Sequence, residues 1–119
     1  MVKGKYKRSD RVGDLVKRSI AEILVRGELG VDIGFVTVMK IEMSNDLKNA
    51  KIFISIHGDE EEKKKQFAVL MDNKKRLRYL LAQKINLRYT PALKLYRDDS
   101  LDNSIKVQQL LHDIERGEN

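Results

Sequence analysis

Residues 41–54 read IEMSNDLKNAKIFI, the pattern of two strands joined by a polar turn. The flanking segments, Val36 to Met43 and Ala50 to His57, are rich in β-branched and aromatic residues, which favour strands. Between them, Ser44-Asn45-Asp46 supplies side chains that hydrogen-bond their own backbone and favour turns. Along the second segment every other residue is apolar, which predicts a hairpin with one buried and one wetter face. The wetter face is predicted to carry Lys51, Ser55 and His57.

The composition is that of a single globular domain. The chain has 119 residues, of which 41% are hydrophobic, enough for one core. It has no cysteine, which excludes disulfides and thiolate metal sites and suits a reducing compartment. No apolar run approaches the roughly 18 to 20 residues that span a bilayer, and the basic start is not followed by the apolar stretch of a secretory signal. We therefore expect a soluble cytoplasmic protein with no membrane partner.

Positive charge is concentrated in two parts of the chain, which has a net charge of +6. Residues 1–30 hold eight Lys or Arg against four Asp or Glu, and residues 63–89 hold nine against one. The last thirty residues hold four against six. Two basic concentrations in one small domain favour a polyanionic partner whose phosphates are met along a defined surface. For either stretch alone, the alternative is a charged helix face that serves solubility.

Helical periodicity precedes the hairpin. From Asp10 to about Arg26, apolar residues recur every three or four positions, which predicts an amphipathic helix. Ser9 is its predicted N-cap and Gly27 its predicted stop.

A second helical region follows the hairpin. Asp59 and Glu62 have the spacing of a capping box, and helix-forming residues continue to about Leu87. The poorest helix-forming pair in that stretch is Asp72-Asn73, where a kink or break is predicted. Pro91 suits the start of a third strand over Ala92 to Arg97.

The last predicted element is a C-terminal helix after a turn at Asp98-Asp99-Ser100; it carries Leu101, Ile105, Leu110, Leu111 and Ile114. The predicted order is therefore α-β-β-α-α-β-α. We expect an α+β domain with an antiparallel three-stranded sheet and helices packed on one face, because a small sheet needs a covering layer.

Four segments in their joint order and spacing carry a family resemblance over nearly the whole chain. They are Arg8-Ser9-Asp10-Arg11-Val12, the hairpin over 41–54, Leu87-Arg88-Tyr89-Thr90-Pro91-Ala92-Leu93 and Asp99-Ser100-Leu101. With them the chain resembles the ribosome-binding factor A family. The resemblance implies a single type II KH-like domain over residues 9–116, a basic flexible arm over 1–8 and a short tail over 117–119.

The resemblance also implies a function. The family supports late assembly of the bacterial small (30S) ribosomal subunit by binding its immature 16S rRNA, aids rRNA processing and leaves before translation; it is not an enzyme and needs no cofactor. Ordinary KH domains grip nucleic acid with a Gly-x-x-Gly loop between two helices, yet no glycine occurs between Gly58 and Gly117. The family has a kinked helix there with an Ala-x-Gly-like or Ala-x-Ser-like element, whereas this chain reads Asn73-Lys74-Lys75. The alternative is a general KH-like RNA-binding protein without a ribosomal role.

Two groups of basic residues are predicted to contact RNA phosphates. The first lies at and beyond the expected kink and comprises Lys74, Lys75, Arg76, Arg78, Lys84 and Arg88. The second is the N-terminal arm and the start of the first helix, with Lys3, Lys5, Lys7, Arg8 and Arg11. The alternatives are a solubilising helix face for the first group and a plain tail for the second.

Other chemistries have weaker support. Tyr79 and Tyr96 are interpreted as core or rim residues, and an aromatic fraction of 6% favours recognition by shape and phosphate contact over base stacking. A metal site at His57 with the nearby carboxylates is disfavoured, because consecutive acidic residues at a helix start are explained by capping and the helix dipole. We expect no metal, no catalysis and no small-molecule substrate. The expected partners are the small ribosomal subunit and its rRNA, bound by a monomer.

Overall fold

The computed structural model describes residues 7–99, which form helices and strands around one sheet. Helix α1 spans Arg8–Val25 and is followed by strands β1 (Val36–Met43) and β2 (Asn49–Ile56). Helices α2 (Glu60–Asp72) and α3 (Lys74–Lys84) then lead to strand β3 (Ala92–Arg97). This order confirms the predicted α+β architecture through the third strand. The predicted C-terminal helix, the tail over 117–119 and most of the N-terminal arm lie outside the described residues.

The hairpin forms as the alternation predicts. Strands β1 and β2 are antiparallel, with Val36 opposite Ile56 and Met43 opposite Ala50. The register shifts between Val38 and Lys40, which marks a β-bulge. Because the bulge moves the side-chain alternation by one position, β1 keeps apolar residues on the buried face both before and after it.

The third strand corrects one prediction. The sheet order is β1-β2-β3, and β3 runs parallel to β2, so the sheet is mixed and not antiparallel throughout. The connection between these two strands consists of α2 and α3, and such a helical crossover returns the chain to the end of the sheet from which β2 started. Ala92 thus begins beside the hairpin turn, where its N–H donates to the Lys48 carbonyl oxygen at 2.8 Å.

The core lies between one face of the sheet and the helices, as predicted. In β2 the side chains of Ala50, Ile52, Ile54 and Ile56 are at most 1% exposed. The helices contribute further buried residues, including Val16, Ile20, Ile23, Leu70, Leu77 and Leu81. Ser55 departs from its prediction, since it is only 5% exposed although it lies on the other face. It is a small side chain on the central strand, with neighbours at Phe53 and His57 on the same face.

Helix α1 begins earlier than predicted and ends where predicted. Lys7, and not Ser9, occupies the N-cap position, and the Asp10 carboxylate accepts a hydrogen bond from the Lys7 backbone N–H at 2.9 Å. This acidic side chain satisfies an N–H at the helix start, so Ser9 lies inside the first turn. At the other end, Gly27 has φ +69° and its N–H donates to the Leu24 carbonyl oxygen. The Glu28 N–H also donates back into the last turn, which completes a Schellman motif.

Helix α2 has the predicted capping box. The Glu62 backbone N–H donates to the Asp59 carboxylate at 2.8 Å, and the Asp59 N–H donates to the Glu62 carboxylate at 3.0 Å. The helix ends at Asp72, and α3 begins at Lys74, which confirms the predicted break.

Two arginines hold the ends of β3. Before the strand, Arg78 of α3 donates from Nε to the Pro91 carbonyl oxygen at 3.0 Å and from Nη2 to the Thr90 carbonyl oxygen at 2.6 Å. At the end of the strand, Arg97 binds both carboxylate oxygens of Glu60 at 2.9 and 3.1 Å. The first contact joins the strand to α3, and the second joins it to the start of α2.

We expect Arg78→Ala to lower the free energy of unfolding by about 1.5 kcal/mol, because hydrogen bonds from a charged donor to two carbonyl groups are lost. Lys75→Ala, on the same helix, is the matched control and should change it by no more than about 0.5 kcal/mol. Urea unfolding followed by circular dichroism measures both. Equal effects of the two substitutions would contradict the assignment of Arg78 as a tether.

Stability should fall in acid through the Glu60–Arg97 pair. The hydrogen bond from Arg97 lowers the pKa of Glu60 below its usual value. The pair therefore contributes its full share to the free energy of unfolding above the pKa of Glu60 in the unfolded chain, about 4.3. That contribution is lost as the pH falls through the lower pKa that Glu60 has in the folded protein. Glu60→Gln should flatten the decline of the urea midpoint between about pH 5 and pH 3.

The neighbouring substitution Glu61→Gln is the control for this pH series. It removes one carboxylate from the same helical turn and leaves the Arg97 contact in place. If both substitutions flatten the decline of the urea midpoint with falling pH equally, the acid sensitivity results from the overall loss of negative charge and not from the Glu60–Arg97 pair.

Candidate nucleic-acid interface

The break between α2 and α3 is produced by Asn73. Its backbone N–H donates to the carbonyl oxygens of Val69 and Leu70, both at 3.1 Å, and its side-chain Nδ2 donates to the Val69 carbonyl oxygen at 2.8 Å. With φ −105° and ψ 16°, the residue leaves helical geometry. Because its side chain bonds backward into α2, it does not cap α3. The first turn of α3 therefore presents its N–H groups without a side-chain acceptor from the cap residue.

Lys74 and Lys75 follow directly at the start of α3. Lys75 is exposed and Lys74 half-buried, and the first turn of the helix has no acidic residue. Cations are unfavourable at a helix N-terminus, which already carries the positive end of the helix dipole. Two ammonium groups and the helix end thus gather positive charge at one bend of the chain, an arrangement suited to an anion.

The next two basic residues of the predicted group are engaged with the protein. Arg76 donates from Nε to the Leu29 carbonyl oxygen at 3.0 Å, in the loop after α1. Arg78 holds the entrance to β3, as described above. The structure therefore separates Lys74 and Lys75 from the arginines that follow them, although all four are neighbours in sequence.

Lys84 is also paired within the fold. Its Nζ lies 3.0 Å from a carboxylate oxygen of Glu22 and 3.5 Å from one of Glu28, which links the end of α3 to the end of α1. The hydrogen bond from Lys84 is the main cause that lowers the pKa of Glu22, and the same bond raises the pKa of Lys84. The charge of Lys84 is thus balanced locally by two carboxylates.

Arg88 and Arg8 meet at a small cleft at the end of the sheet. The cleft has a volume of about 220 Å³, and its walls include Arg8 from the start of α1, Leu47 from the hairpin turn, and Arg88 with Tyr89 from the segment before β3. The Arg88 guanidinium lies 5.6 Å from the centroid of the Tyr89 ring, and Tyr89 is 59% exposed. Two guanidinium groups and an exposed ring, from two separate parts of the chain, therefore share one concave surface, which we call the arginine cleft.

The hairpin turn forms one wall of the arginine cleft through its own hydrogen bonds. The Ser44 hydroxyl donates to the Asp46 carboxylate at 2.6 Å and accepts from the Asn49 N–H at 3.0 Å. The hydrogen bond from Ser44 is the main cause that lowers the pKa of Asp46. Leu47 takes φ +63° inside this turn. These contacts confirm the interpretation of Ser44 and Asp46 as turn residues.

The remaining basic residues of the N-terminal group that the structure describes do not line the arginine cleft. Lys7 and Arg11 are exposed, while Lys5 and Lys3 lie outside the described residues. Lys7 borders a second, larger cleft of about 570 Å³ whose walls also include Asp10, Asp14 and Glu42. That cleft mixes one lysine with three carboxylates, whereas the arginine cleft has two arginines and one carboxylate, Asp46, so the arginine cleft is better suited to phosphate.

The sequence reasoning missed the arginine cleft and the exposure of two tyrosines. Tyr79 and Tyr96, interpreted as core or rim residues, are 61% and 40% exposed. No local sequence pattern indicated the arginine cleft, because its walls come from segments that are far apart in sequence.

Within residues 7–99, no group of three His, Asp or Glu side chains is arranged to hold a metal ion. The same part of the chain contains no helix long and apolar enough to cross a membrane.

Comparisons with known proteins identify the family. The family model described as ribosome-binding factor A matches residues 8–111. The chain is 35% identical over 114 residues to ribosome-binding factor A of Halothermothrix orenii, covering 96% of this chain and 93% of that protein. It is 38% identical over 107 residues to that of Brevibacillus brevis, covering 90% and 88%.

Solved structures agree in fold. The crystal structure of ribosome-binding factor A from Thermus thermophilus superposes with a TM-score of 0.64 at 21% identity, covering 76% of this chain and 97% of that one. A homology model of the T. thermophilus factor, fitted into a cryo-EM map of its complex with 30S, gives a TM-score of 0.63 at 22% identity, covering 75% and 93%. The family resemblance in the sequence is thereby confirmed: the chain belongs to the ribosome-binding factor A family.

Proposed function

We propose that this protein binds the small ribosomal subunit through its 16S rRNA and supports late subunit maturation and rRNA processing in the cytoplasm. Membership of the family supports this role, as does the 30S complex of the T. thermophilus relative. The role requires binding alone, without a catalytic step or a cofactor, and we propose that a monomer performs it.

The observation that carries the proposal is the charge at the start of α3. Helix α2 has a complete capping box and three glutamates in its first turn, whereas α3 has neither a side-chain cap nor an acidic residue there. Lys74 and Lys75 add two cations to the positive helix end. A phosphate group would offset this charge, as anions do at the start of a helix.

The arginine cleft supplies a second proposed contact. Arg8 and Arg88 are suited to bidentate contact with phosphate oxygens, and an exposed tyrosine beside them can stack on an unpaired base. Arg11 on α1, with Lys5 and Lys7 in the proposed arm over residues 1–8, would extend this contact along the RNA backbone. Residues 9–116 are proposed as the ribosome-binding domain and 117–119 as a short tail.

The engaged basic residues have a different proposed role. Arg76, Arg78 and Lys84 bond carbonyl oxygens or carboxylates of the protein, so their main contribution is to hold the helices in position. Among the basic residues of α3, phosphate contacts should then depend chiefly on Lys74 and Lys75.

The double substitution Lys74→Glu and Lys75→Glu tests the proposal. We expect it to weaken binding to purified immature 30S subunits by about tenfold or more and to reduce the slope of log Kd against log salt by roughly 1.5. Lys64→Glu with Lys65→Glu is the matched control, because it makes the same charge change one helix earlier. Filter binding over a salt series measures both proteins.

Three results would contradict the proposal. Equal losses in the two double variants would show that net charge and not the start of α3 determines binding. Preference of the unmodified protein for mature 70S ribosomes over free small subunits would argue against an assembly role. Equal affinity for short single-stranded oligonucleotides and subunits would favour the general RNA-binding alternative.

A further inference from the structure

The two faces of the sheet differ sharply in chemistry. In β3 the side chains of Leu93 and Leu95 are buried, at 4% and 7% exposure, on the face that packs against the helices. Lys94 and Tyr96 alternate with them and are exposed. The register places Lys94 beside Lys51 of β2 and Tyr96 beside Phe53. We call the face that carries these four residues the open face.

Aromatic and basic side chains are stacked on the open face. The rings of Phe53 and Tyr96 are 5.3 Å apart between centroids and 21° from parallel. On the β1 side, the Lys40 ammonium lies 4.9 Å from the centroid of the Phe53 ring. Lys40, Phe53 and Tyr96 thus form a row across the three strands. Among residues 7–99 β3 is an edge strand, so the row ends at the edge of the described sheet with Tyr96, which is 40% exposed.

Two lysines of the open face lie next to each other, an arrangement that lowers the stability of the protein when nothing is bound. Lys51 and Lys94 are direct neighbours on adjacent strands, and like charges in such positions destabilise a sheet. Glu42, opposite Lys51 on the other side, has its carboxylate 3.2 Å from the Lys40 ammonium. The Lys51–Lys94 pair is therefore a further place, besides the start of α3 and the arginine cleft, where basic residues are neighbours.

We propose that the open face binds unpaired nucleotides of RNA, with a base stacked on Tyr96 and phosphates bound by Lys51 and Lys94. Exposed aromatic rings beside lysines match what single-stranded RNA requires, because every base has a face to stack and every linkage a negative charge. An apolar protein partner would leave the two lysine ammonium groups without a counter-charge. This inference rests on the proposed function, since it extends the RNA contact of that function to a second face.

The open face lies next to the arginine cleft. Strand β3 starts beside the hairpin turn, and Tyr89 of the arginine cleft precedes it by three residues. Strand geometry then places Tyr96 about 7 Å beyond Lys94 on the same face. A single strand of RNA that leaves the arginine cleft along β3 would meet the two lysines first and Tyr96 next.

Binding of short oligonucleotides to the full chain tests the proposal. The probes are a uridine hexamer and an abasic hexamer with the same number of phosphates, and anisotropy measures their affinity. Tyr96→Ala should weaken binding of the uridine hexamer by about tenfold and leave the abasic hexamer unchanged, because one stacked base is lost. Tyr96→Phe keeps the aromatic ring, so this variant should bind the uridine hexamer as tightly as the unmodified protein does. Tyr79→Ala, which removes an even more exposed tyrosine from α3, is the matched control and should have no effect.

Ring resonances of Phe53 and Tyr96 in the unmodified protein give a second readout that does not depend on the stability of any variant. We expect both to shift on addition of the uridine hexamer. Unshifted rings, or a loss in Tyr96→Ala that is equal for both hexamers, would overturn the proposal. Nuclear Overhauser contacts between Tyr96 and residues 100–119 would also overturn it, because the chain's own end would then cover the open face.

Binding to 30S subunits separates this inference from the proposed function. If subunits bind but the two rings do not shift with the hexamer, only the open-face inference fails. If the hexamer stacks on Tyr96 but subunits do not bind, the ribosomal role fails and the open-face inference stands.

Discussion

Burial of one side of β2 is the constraint on which the rest of the structure depends. Ala50, Ile52, Ile54 and Ile56 are at most 1% exposed, and the strand is hydrogen-bonded to a neighbour on each side. A slip of one residue in its register would move this whole apolar set to the open face and bring Lys51 into the core. The register of β2 therefore fixes which face the helices cover and which face is left to lysines and aromatic rings.

The break at Asn73 divides the helical layer into two parts that both contribute to the core, with Leu70 from α2 and Leu77 and Leu81 from α3. A continuous helix from Glu60 to Lys84 would be about 38 Å long at 1.5 Å per residue, whereas an eight-residue strand of the sheet spans only about 26 Å. The break was predictable, because Asp72 and Asn73 are poor helix formers in a stretch of good ones. The direction of β3 follows from how the connection crosses the sheet and not from the residues of the strand, which is why the antiparallel prediction was wrong.

Local chemistry was predictable from the sequence where donor and acceptor are close in the chain. The hairpin turn, the capping box of Asp59 and the stop at Gly27 all involve groups within a few residues of one another. The roles of the basic residues were not predictable in this way. Arg76 bonds a carbonyl oxygen 47 residues away, and no pattern in sequence distinguishes it from Lys75 beside it.

Position, and not the net charge of +6, decides what the cations do. Lys84 lies between two glutamates, and Arg97 binds Glu60 through two hydrogen bonds, so these charges stabilise the fold and are balanced within it. Lys74 and Lys75 lie instead at a helix end that is itself positive, whereas the preceding helix begins with glutamates. Two consecutive helices thus have opposite electrostatics at their N-termini. Capping and dipole effects favour the acidic arrangement in a protein alone, so the basic start of α3 is the arrangement that the proposed phosphate contact would use.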